Sequence, residues 1–415
     1  MDGFPISWVR SQFPSLAQEF DGHPVLFLDA PGGTQVPRQV IDAISGYLLK
    51  CNANNHGLFR TSRKTDEVIE HAHRDMASLL GCRADEIVFG ANMTTLTFAM
   101  SRVIARGLKS GDEIVVTTLD HDGNVAPWRA LEERGIVVRT VDIHTEDCTL
   151  DMADLERQMT SRTRLVAAGY ASNAVGTIND VATVVKMAHA AGALAFVDAV
   201  HYAPHGPIDV AALDCDFLVC SPYKFFAPHM GVLYAKRDLL ASLTPYKVRP
   251  ALNEGWDRWE TGTQNHEALA GLIAAIGYIE ELGAQVHPGD HAKRHLLLNA
   301  LEAIRGYERA LITRMIAGLR EIPGLTFYGI SDPARFRSRT PTVSIRLANQ
   351  TPQQTAEYLG ARGIFVWDGN FYALGLTERL GVEASGGLLR IGLVHYNTGE
   401  EVERLLDELR QAARC

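Results

Sequence analysis

The sequence predicts an α/β protein, with a large domain built on a doubly wound, mostly parallel sheet of about seven strands and a smaller α+β domain after it. Three features of the chain point to this. Between residues 86 and 236, short apolar runs alternate with stretches of helical period, the pattern of strand–helix–strand units. Two of those runs, 194–200 and 217–220, are almost wholly apolar and close on polar residues, as strands buried on both faces do. From Asn265 onward the apolar spacing shifts to three and four, and helices dominate. The expected division is an N-terminal arm at 1–25, a large domain at 26–285 and a small domain at 286–415.

In chain order, residues 1–20 read as an amphipathic arm with Trp8, Phe13, Leu16 and Phe20 as its apolar members. A short strand at 25–29 leads into Ala30-Pro31-Gly32-Gly33-Thr34, a turn that only small residues fit. Pro37 opens a helix running to 49, matching the preference for proline at the first helical position. Residues 51–61 are polar and aperiodic, hence a loop, and a helix follows over 64–80. Strands are then expected at 86–90, 113–118, 137–143, 164–171, 194–200, 217–220 and 231–236. Helices are expected between them at 94–105, 125–134, 152–159 and 181–191. The tail reads as helices at 266–282 and 290–322, a strand at 343–347, a helix at 352–362, strands at 364–367 and 388–392, and a terminal helix from Gly399.

The chain has 415 residues, 46% of them apolar and 21% charged, an ordinary globular balance. A net charge of −9 argues against a nucleic acid or an anionic membrane as partner. No run approaches the roughly 18 apolar residues of a membrane span. The six cysteines, at 51, 82, 148, 215, 220 and 415, are scattered without a CxxC pair, so a reduced, cytoplasmic protein is expected. The pairs His71/His73 and His201/His205 suggest no metal site: Pro204 prevents a regular helix between the latter two.

In open α/β sheets ligands bind beyond the carboxyl ends of the strands. Asp198 and His201 follow one apolar run there, and Ser221 and Lys224 follow the next. An amine and a carboxylate delivered in this way suit pyridoxal phosphate (PLP), which needs a lysine for its Schiff base and a carboxylate for its ring nitrogen. A buried ion pair without chemistry is the competing reading. The loop Ser221-Pro222-Tyr223-Lys224-Phe225-Phe226 favours the first, because desolvation lowers the pKa of an amine and makes it nucleophilic. Asn92-Met93-Thr94-Thr95 opens a helix and reads as a phosphate seat or a plain N-cap. His121, after the strand at 113–118, is placed to stack on a planar ring. Asn173 is placed to donate to a ring hydroxyl, and Thr263, before a helix, could serve a phosphate. Arg390, in an apolar run of the small domain, suits a substrate carboxylate.

Taken together these motifs resemble the class V aminotransferase family of fold-type I PLP enzymes, in its cysteine desulfurase-like branch, over nearly the whole chain. The resemblance implies a large PLP-binding domain with a smaller α+β C-terminal one. It casts Lys224 as the Schiff-base lysine, Asp198 as the partner of the pyridine nitrogen and His121 as the ring-stacking histidine. Thr94, Thr95 and Ser221 resemble phosphate ligands, and Tyr223 stands where the family often has a histidine. Thr263 resembles a contact made to the neighbouring subunit, which implies a homodimer with shared active sites. Asn173 and Arg390 resemble substrate-side residues, and His201 replaces a glutamine near the ring oxygen. Two departures stand out. Desulfurases carry a sulfur-accepting cysteine in a loop of the small domain, and the matching stretch here is Val366-Trp367-Asp368-Gly369-Asn370-Phe371-Tyr372-Ala373, with Tyr372 in the cysteine's place. An Arg-His pair of the N-terminal loop reads Asn55-His56.

The resemblance therefore implies proton removal from a small α-amino acid by Lys224 without a thiol to accept sulfur. The expected activity is that of a lyase releasing a β-substituent, carbon dioxide or a sulfur group, from an aspartate, cysteine sulfinate or cysteine type substrate. The enamine left behind would be protonated or captured by an aldehyde. Trp367, Phe371 and Tyr372 would wall the substrate pocket, Asp368 would tune its choice and His56 would approach it. A class V aminotransferase or an amino-acid epimerase is the alternative, and a non-catalytic sulfur-transfer partner a third.

Overall fold

The computed structural model describes residues 3–414. Seven strands form its main sheet: β1 (Ile87–Gly90), β2 (Glu113–Thr117), β3 (Val137–Val141), β4 (Thr163–Gly169), β5 (Leu194–Asp198), β6 (Phe217–Cys220) and β7 (Gly231–Ala235). Their spatial order is β1-β7-β6-β5-β4-β2-β3. Every pair from β6 to β3 is parallel, while β7 runs antiparallel to both β6 and β1. All seven strands expected from the sequence are present, each within a few residues of its expected bounds.

The strands are apolar throughout because both faces of the sheet are covered. Successive side chains point to opposite faces, so Val115, Val166, Val197, Leu218 and Val232 enter one hydrophobic core while Ile114, Val116, Leu165, Phe196, Val219 and Leu233 enter another. Such a sheet requires connecting helices on both sides. The carboxyl ends of β1, β2, β4, β5 and β6 all fall on one edge. The chain passes from β2 out to β3 and back to β4, so the order reverses beside β2 and opens a crevice there.

A four-stranded antiparallel sheet lies in the second part of the chain: β8 (Leu325–Tyr328), β9 (Thr342–Leu347), β10 (Trp367–Gly369) and β11 (Leu388–Gly392), in the order β8-β9-β11-β10. Its core takes in Leu26 and Leu28, because Leu26–Phe27 pairs in parallel with Ile364–Phe365. A single helix, Lys293–Leu319, joins the two cores: Leu297, Ala300 and Ile304 enter the first, Leu311, Met315 and Leu319 the second. In the N-terminal arm the helix Ile6–Gln12 buries Val9, and Phe13 follows it into the core, while Phe20 stays exposed. The helix His266–Val286 is long and apolar enough, by length and composition, to cross a membrane, contrary to the sequence expectation that no run would be. It packs against the helices Arg38–Lys50, Arg60–Leu80 and Lys293–Leu319 instead.

Local structure departs from the expectations in several places, and the strand expected at 364–367 is two, Ile364–Phe365 and Trp367–Gly369, in different sheets. The helix expected over 125–134 is a short α-turn, Ala126–Arg129, continuing as a 3-10 helix, Ala130–Arg134. The strand Leu325–Tyr328 and the helix Leu374–Arg379 went unforeseen, since neither is long enough for a clear period.

At the amino end of β2 the buried Glu113 accepts from Arg139 (2.8 and 3.0 Å), Arg162 (2.6 Å) and Thr160 (2.8 Å). Hydrogen bonding from Arg139 holds its carboxyl down at about 2. A depressed carboxylate pKa adds stability that is complete above the unfolded value and is lost as pH falls through the folded one. Glu113→Gln is thus expected to cost about 1–2 kcal/mol at pH 7, allowing for the solvent exposure of the two arginines. Thermal melts should show the gap from the unsubstituted protein closing between about pH 4.5 and about pH 2.

Candidate active site

A cavity of about 780 Å³ opens at the carboxyl edge of the main sheet, facing β10 and β11. Each strand end delivers one functional group to it. β5 ends on Asp198, whose Oδ1 accepts the Val200 N–H at 2.8 Å. Among the described residues no donor reaches its other oxygen, and burial pushes its carboxyl up to about 7. β6 leads into Ser221 and a 3-10 turn that carries Lys224. The Lys224 ammonium donates to the Pro31 carbonyl and lies 5.0 Å from the Tyr223 ring centroid. Burial, reinforced by the nearby Arg390 charge, lowers its pKa to about 7, against the opposing pull of Asp198 and Asp29.

β2 leads to Asp120 and His121. Asp120 is buried, accepts from Asn124 and from the Gly169 N–H, and is pushed up to about 6 by desolvation. The His121 Nδ1 accepts the Gly123 N–H at 2.9 Å, so its proton sits on Nε2, and burial holds its pKa near 4. Only glycine fits at 123: a Cβ there would stand 2.9 Å from both His121 Nδ1 and Thr94 Oγ1. The helix Met93–Ile104 points its first turn into the cavity. Among the described residues the Met93 and Thr94 N–H groups have no acceptor, and a helix N-terminus favours an anion.

The far wall comes from the small sheet. β11 is an interior strand, and its Arg390 is buried rather than on an exposed edge. Arg390 Nη1 donates to the Asn173 carbonyl at 3.0 Å, and its guanidinium lies 4.3 Å over the Phe371 ring. Burial brings its pKa down to about 9, which leaves it charged at neutral pH. The loop after β10 crosses the opening. Asn173 Nδ2 donates to the Phe371 carbonyl (2.8 Å), and the Asp122 N–H to the Tyr372 carbonyl (2.6 Å). Tyr372 stacks on His121 with centroids 5.4 Å apart. Phe371 and Tyr372 both have positive φ, 55° and 60°, a conformation costly for non-glycine residues and typical of functional loops.

The cavity thus gathers Thr94, His121, Asn173, Asp198, His201, Ser221, Tyr223, Lys224, Trp367, Asp368, Phe371, Tyr372 and Arg390 of the residues singled out by sequence. His201 is held at its back by Thr340, 3.1 Å from Nε2. Asp368 borders the space; strand register sets it opposite Leu389, and it also lines a neighbouring groove with Arg346. Three expected residues are not brought to the cavity. Thr95 uses both its N–H and its hydroxyl on Asn92 Oδ1, the capping role. His56 is exposed beside Asp66 and Asp257, and Thr263 is exposed elsewhere on this chain. Sequence reasoning missed Asp29, half-buried near Arg390 and Lys224 with a buried Oδ1 that has no partner among the described residues, and Glu383, which holds Asn370 of the loop. Asp29 carried the signal used for Asp198: an acid closing an apolar run before small residues.

The donor set fits pyridoxal phosphate. Asp198 offers a carboxylate oxygen with no partner to a ring N–H, and Lys224 offers an amine kept near neutrality. The Met93 and Thr94 N–H groups and the Ser221 hydroxyl, without acceptors among the described residues, are donors for a phosphate, and His121 borders the same space.

A family model described as Aminotransferase class-V matches residues 26–405. The chain is 34% identical over 431 residues to a cysteine desulfurase of Enterobacter sp. (strain 638), covering 98% of each. It is 32% identical over 429 residues to a cysteine desulfurase of Salmonella agona, covering 99% of each. Among solved structures it is similar to the apo form of a cysteine desulfurase from Thermococcus onnurineus NA1, with a TM-score of 0.88 and 27% identity over 99% of this chain and 98% of that one. A cysteine desulfurase from Escherichia coli, in an S-sulfonic acid form, aligns with a TM-score of 0.83 and 25% identity over 99% of each chain.

Proposed function

The chain belongs to the class V aminotransferase family, in its cysteine desulfurase-like branch, as a fold-type I PLP-dependent enzyme; on that premise we propose that it is a lyase cleaving a substituent from the β-carbon of a small α-amino acid of the aspartate, cysteine sulfinate or cysteine type. The observation that supports this most is a contrast within one cavity. Lys224 and Asp198 are equipped for proton chemistry at Cα, while Tyr372 occupies the loop position where a desulfurase would carry its sulfur-accepting thiol.

When bound, pyridoxal phosphate supplies an electron sink for the pair freed at Cα. The chain's own residues do the rest. Asp198 holds the proton at the ring nitrogen. Lys224, driven toward its neutral amine by burial, takes and holds the Cα proton. Arg390 orients the α-carboxylate, and its tie to the Asn173 carbonyl fixes the direction of the guanidinium. Phe371 and Tyr372, anchored by Asn173 and Asp122, keep water from the reacting carbon.

The reading extends to a homodimer with shared sites, in which the partner subunit's Thr263 completes the phosphate seat. Leu49, Leu58 and Phe59, exposed at 82%, 88% and 59%, supply apolar surface for such an interface. A reducing compartment such as the cytoplasm is part of the same reading, since none of the described cysteines is paired.

Incubating the holoenzyme with aspartate, cysteine sulfinate and cysteine, then measuring alanine or pyruvate with the released group, tests the proposal. β-Bond cleavage of at least one is expected. Keto-acid-dependent amino transfer or loss of chirality at Cα, with the β-bond intact throughout, would decide for the aminotransferase or epimerase instead. A monomer by light scattering would remove the shared site.

A further inference from the structure

Resting on the lyase reading, we infer that the substrates are cysteine S-conjugates, thioethers bearing an apolar or aromatic group on sulfur, and not amino acids with an acidic side chain. Three features of the cavity carry this.

The first is its charge. Among the described residues lining it, Lys224 and Arg390 are the only lysine and arginine. Lys224 is committed to the cofactor and Arg390 to the α-carboxylate. A side-chain carboxylate or sulfinate would need a third cation, because an uncompensated anion out of water is costly. Neither histidine supplies it: both His121 and His201 are held neutral by burial. The remaining ionisable groups, apart from the Tyr223 and Tyr372 phenols, are Asp120, Asp198, Asp368 and Glu383.

The second is the position of Trp367. It lies directly opposite Arg390 across the antiparallel β10/β11 pair, so both side chains rise from one face of the sheet as cross-strand neighbours. Its indole packs over Gly32, where a Cβ would come within 2.4 Å of Nε1, yet it is 50% exposed. A ligand with its α-carboxylate on Arg390 therefore lays its side chain along an indole. Tyr372, 73% exposed, and Phe371 continue this aromatic wall. Large aromatic side chains left exposed at a cavity mouth mark a place where an apolar or aromatic group docks.

The third is size. A volume near 780 Å³ lies in the upper part of the range for small-molecule sites. It holds the cofactor with room beyond a three-carbon amino acid.

The chemistry needs no acceptor thiol and no redox partner. Lys224 removes the Cα proton and the Cβ–S bond breaks. The sulfur leaves with the bonding pair as a thiolate and is protonated. The three-carbon remainder is released as aminoacrylate, which tautomerises and adds water to give pyruvate and ammonium. The sum is conjugate plus water giving thiol, pyruvate and ammonium.

The test uses the holoenzyme with S-benzyl-L-cysteine, S-methyl-L-cysteine, L-cysteine, L-cysteine sulfinate and L-aspartate, reading pyruvate, alanine, thiol and the change in cofactor absorbance on binding. The expected result is kcat/KM at least tenfold higher for the benzyl than the methyl conjugate, with the sulfinate and aspartate at least a hundredfold below both. Trp367→Ala should shrink the benzyl-to-methyl ratio about tenfold, and Tyr372→Arg should raise turnover of the sulfinate. Cleavage of aspartate or the sulfinate at rates matching the conjugates would overturn this inference while leaving the lyase reading intact. No β-cleavage of any compound, with amino transfer in its place, would overturn both. Because the panel on the unsubstituted enzyme decides by itself, poor folding of either variant does not blunt the test.

Discussion

Lys224→Ala is expected to lower turnover on the order of 10⁴-fold, the upper range for a lost proton-transfer group, and to abolish covalent attachment of the cofactor. The side chain lies in a pocket formed by Pro31, Tyr223 and Arg390, where burial favours the uncharged amine and places its pKa at about 7 in the cofactor-free protein. Alanine supplies neither nucleophile nor base. Borohydride treatment followed by mass spectrometry should trap one cofactor per chain on the unsubstituted protein and none on the variant. The depressed pKa adds a second expectation. Only the neutral amine attacks an aldehyde, so the rate of cofactor uptake by the apo protein should rise with pH and level off above about 7, rather than climbing toward the ordinary lysine value of 10.5. Trapping on the variant, or an uptake rate still climbing at pH 10, would place the Schiff base on another amine.

Asp198→Asn is expected to lower turnover on the order of 10³-fold, the cost of removing one preorganised electrostatic partner from a buried site, while leaving the fold intact. Asparagine keeps the shape and an Oδ1 to accept the Val200 N–H, so the end of β5 should not move. It cannot hold a proton at the ring nitrogen as a carboxylate does. The apo proteins should differ in the opposite sense. The folded Asp198 carboxyl stands at about 7, against 3.8 for an ordinary one. A raised carboxyl pKa means that the folded state binds more protons between those values, so stability is lost as pH rises through about 7. The apo variant, free of that loss, should melt at the same temperature as the apo unsubstituted protein or higher at pH 8, and the difference should vanish near pH 4. A variant that turns over normally would mean that Asp198 does not serve the ring.

Much of the site was legible because its chemistry sits at strand ends. Apolar runs mark strands locally, and the polar residue that closes each run must fall on the sheet's edge, so Asp198, Lys224, His121 and Asn173 could be named before any contact was known. Other residues needed the three-dimensional geometry to be placed. Thr95 reads like Thr94, and only the geometry of the helix start assigns one to Asn92 and the other to the cavity. Asp368 reads like a pocket residue and does border the cavity, and only the fold shows that it also lines a neighbouring groove with Arg346. Asp29 lies far along the chain from Lys224 and Arg390, the two cations near it.

By itself, then, the amino-acid order determined the seven strands, most of the helices between them and the pair, Asp198 and Lys224, that closes two neighbouring strands, because burial on two faces and helical period are properties of neighbouring residues. The tertiary structure alone decided that β7 enters antiparallel between β1 and β6. It also decided that Tyr372 lies on His121 and that Trp367 stands beside Arg390. Those arrangements depend on contacts between segments far apart in the chain, such as Asp122 with Tyr372 and Asn173 with Phe371. Closing such loops costs entropy that only the assembled packing offsets, and no local pattern records which distant partner will offset it.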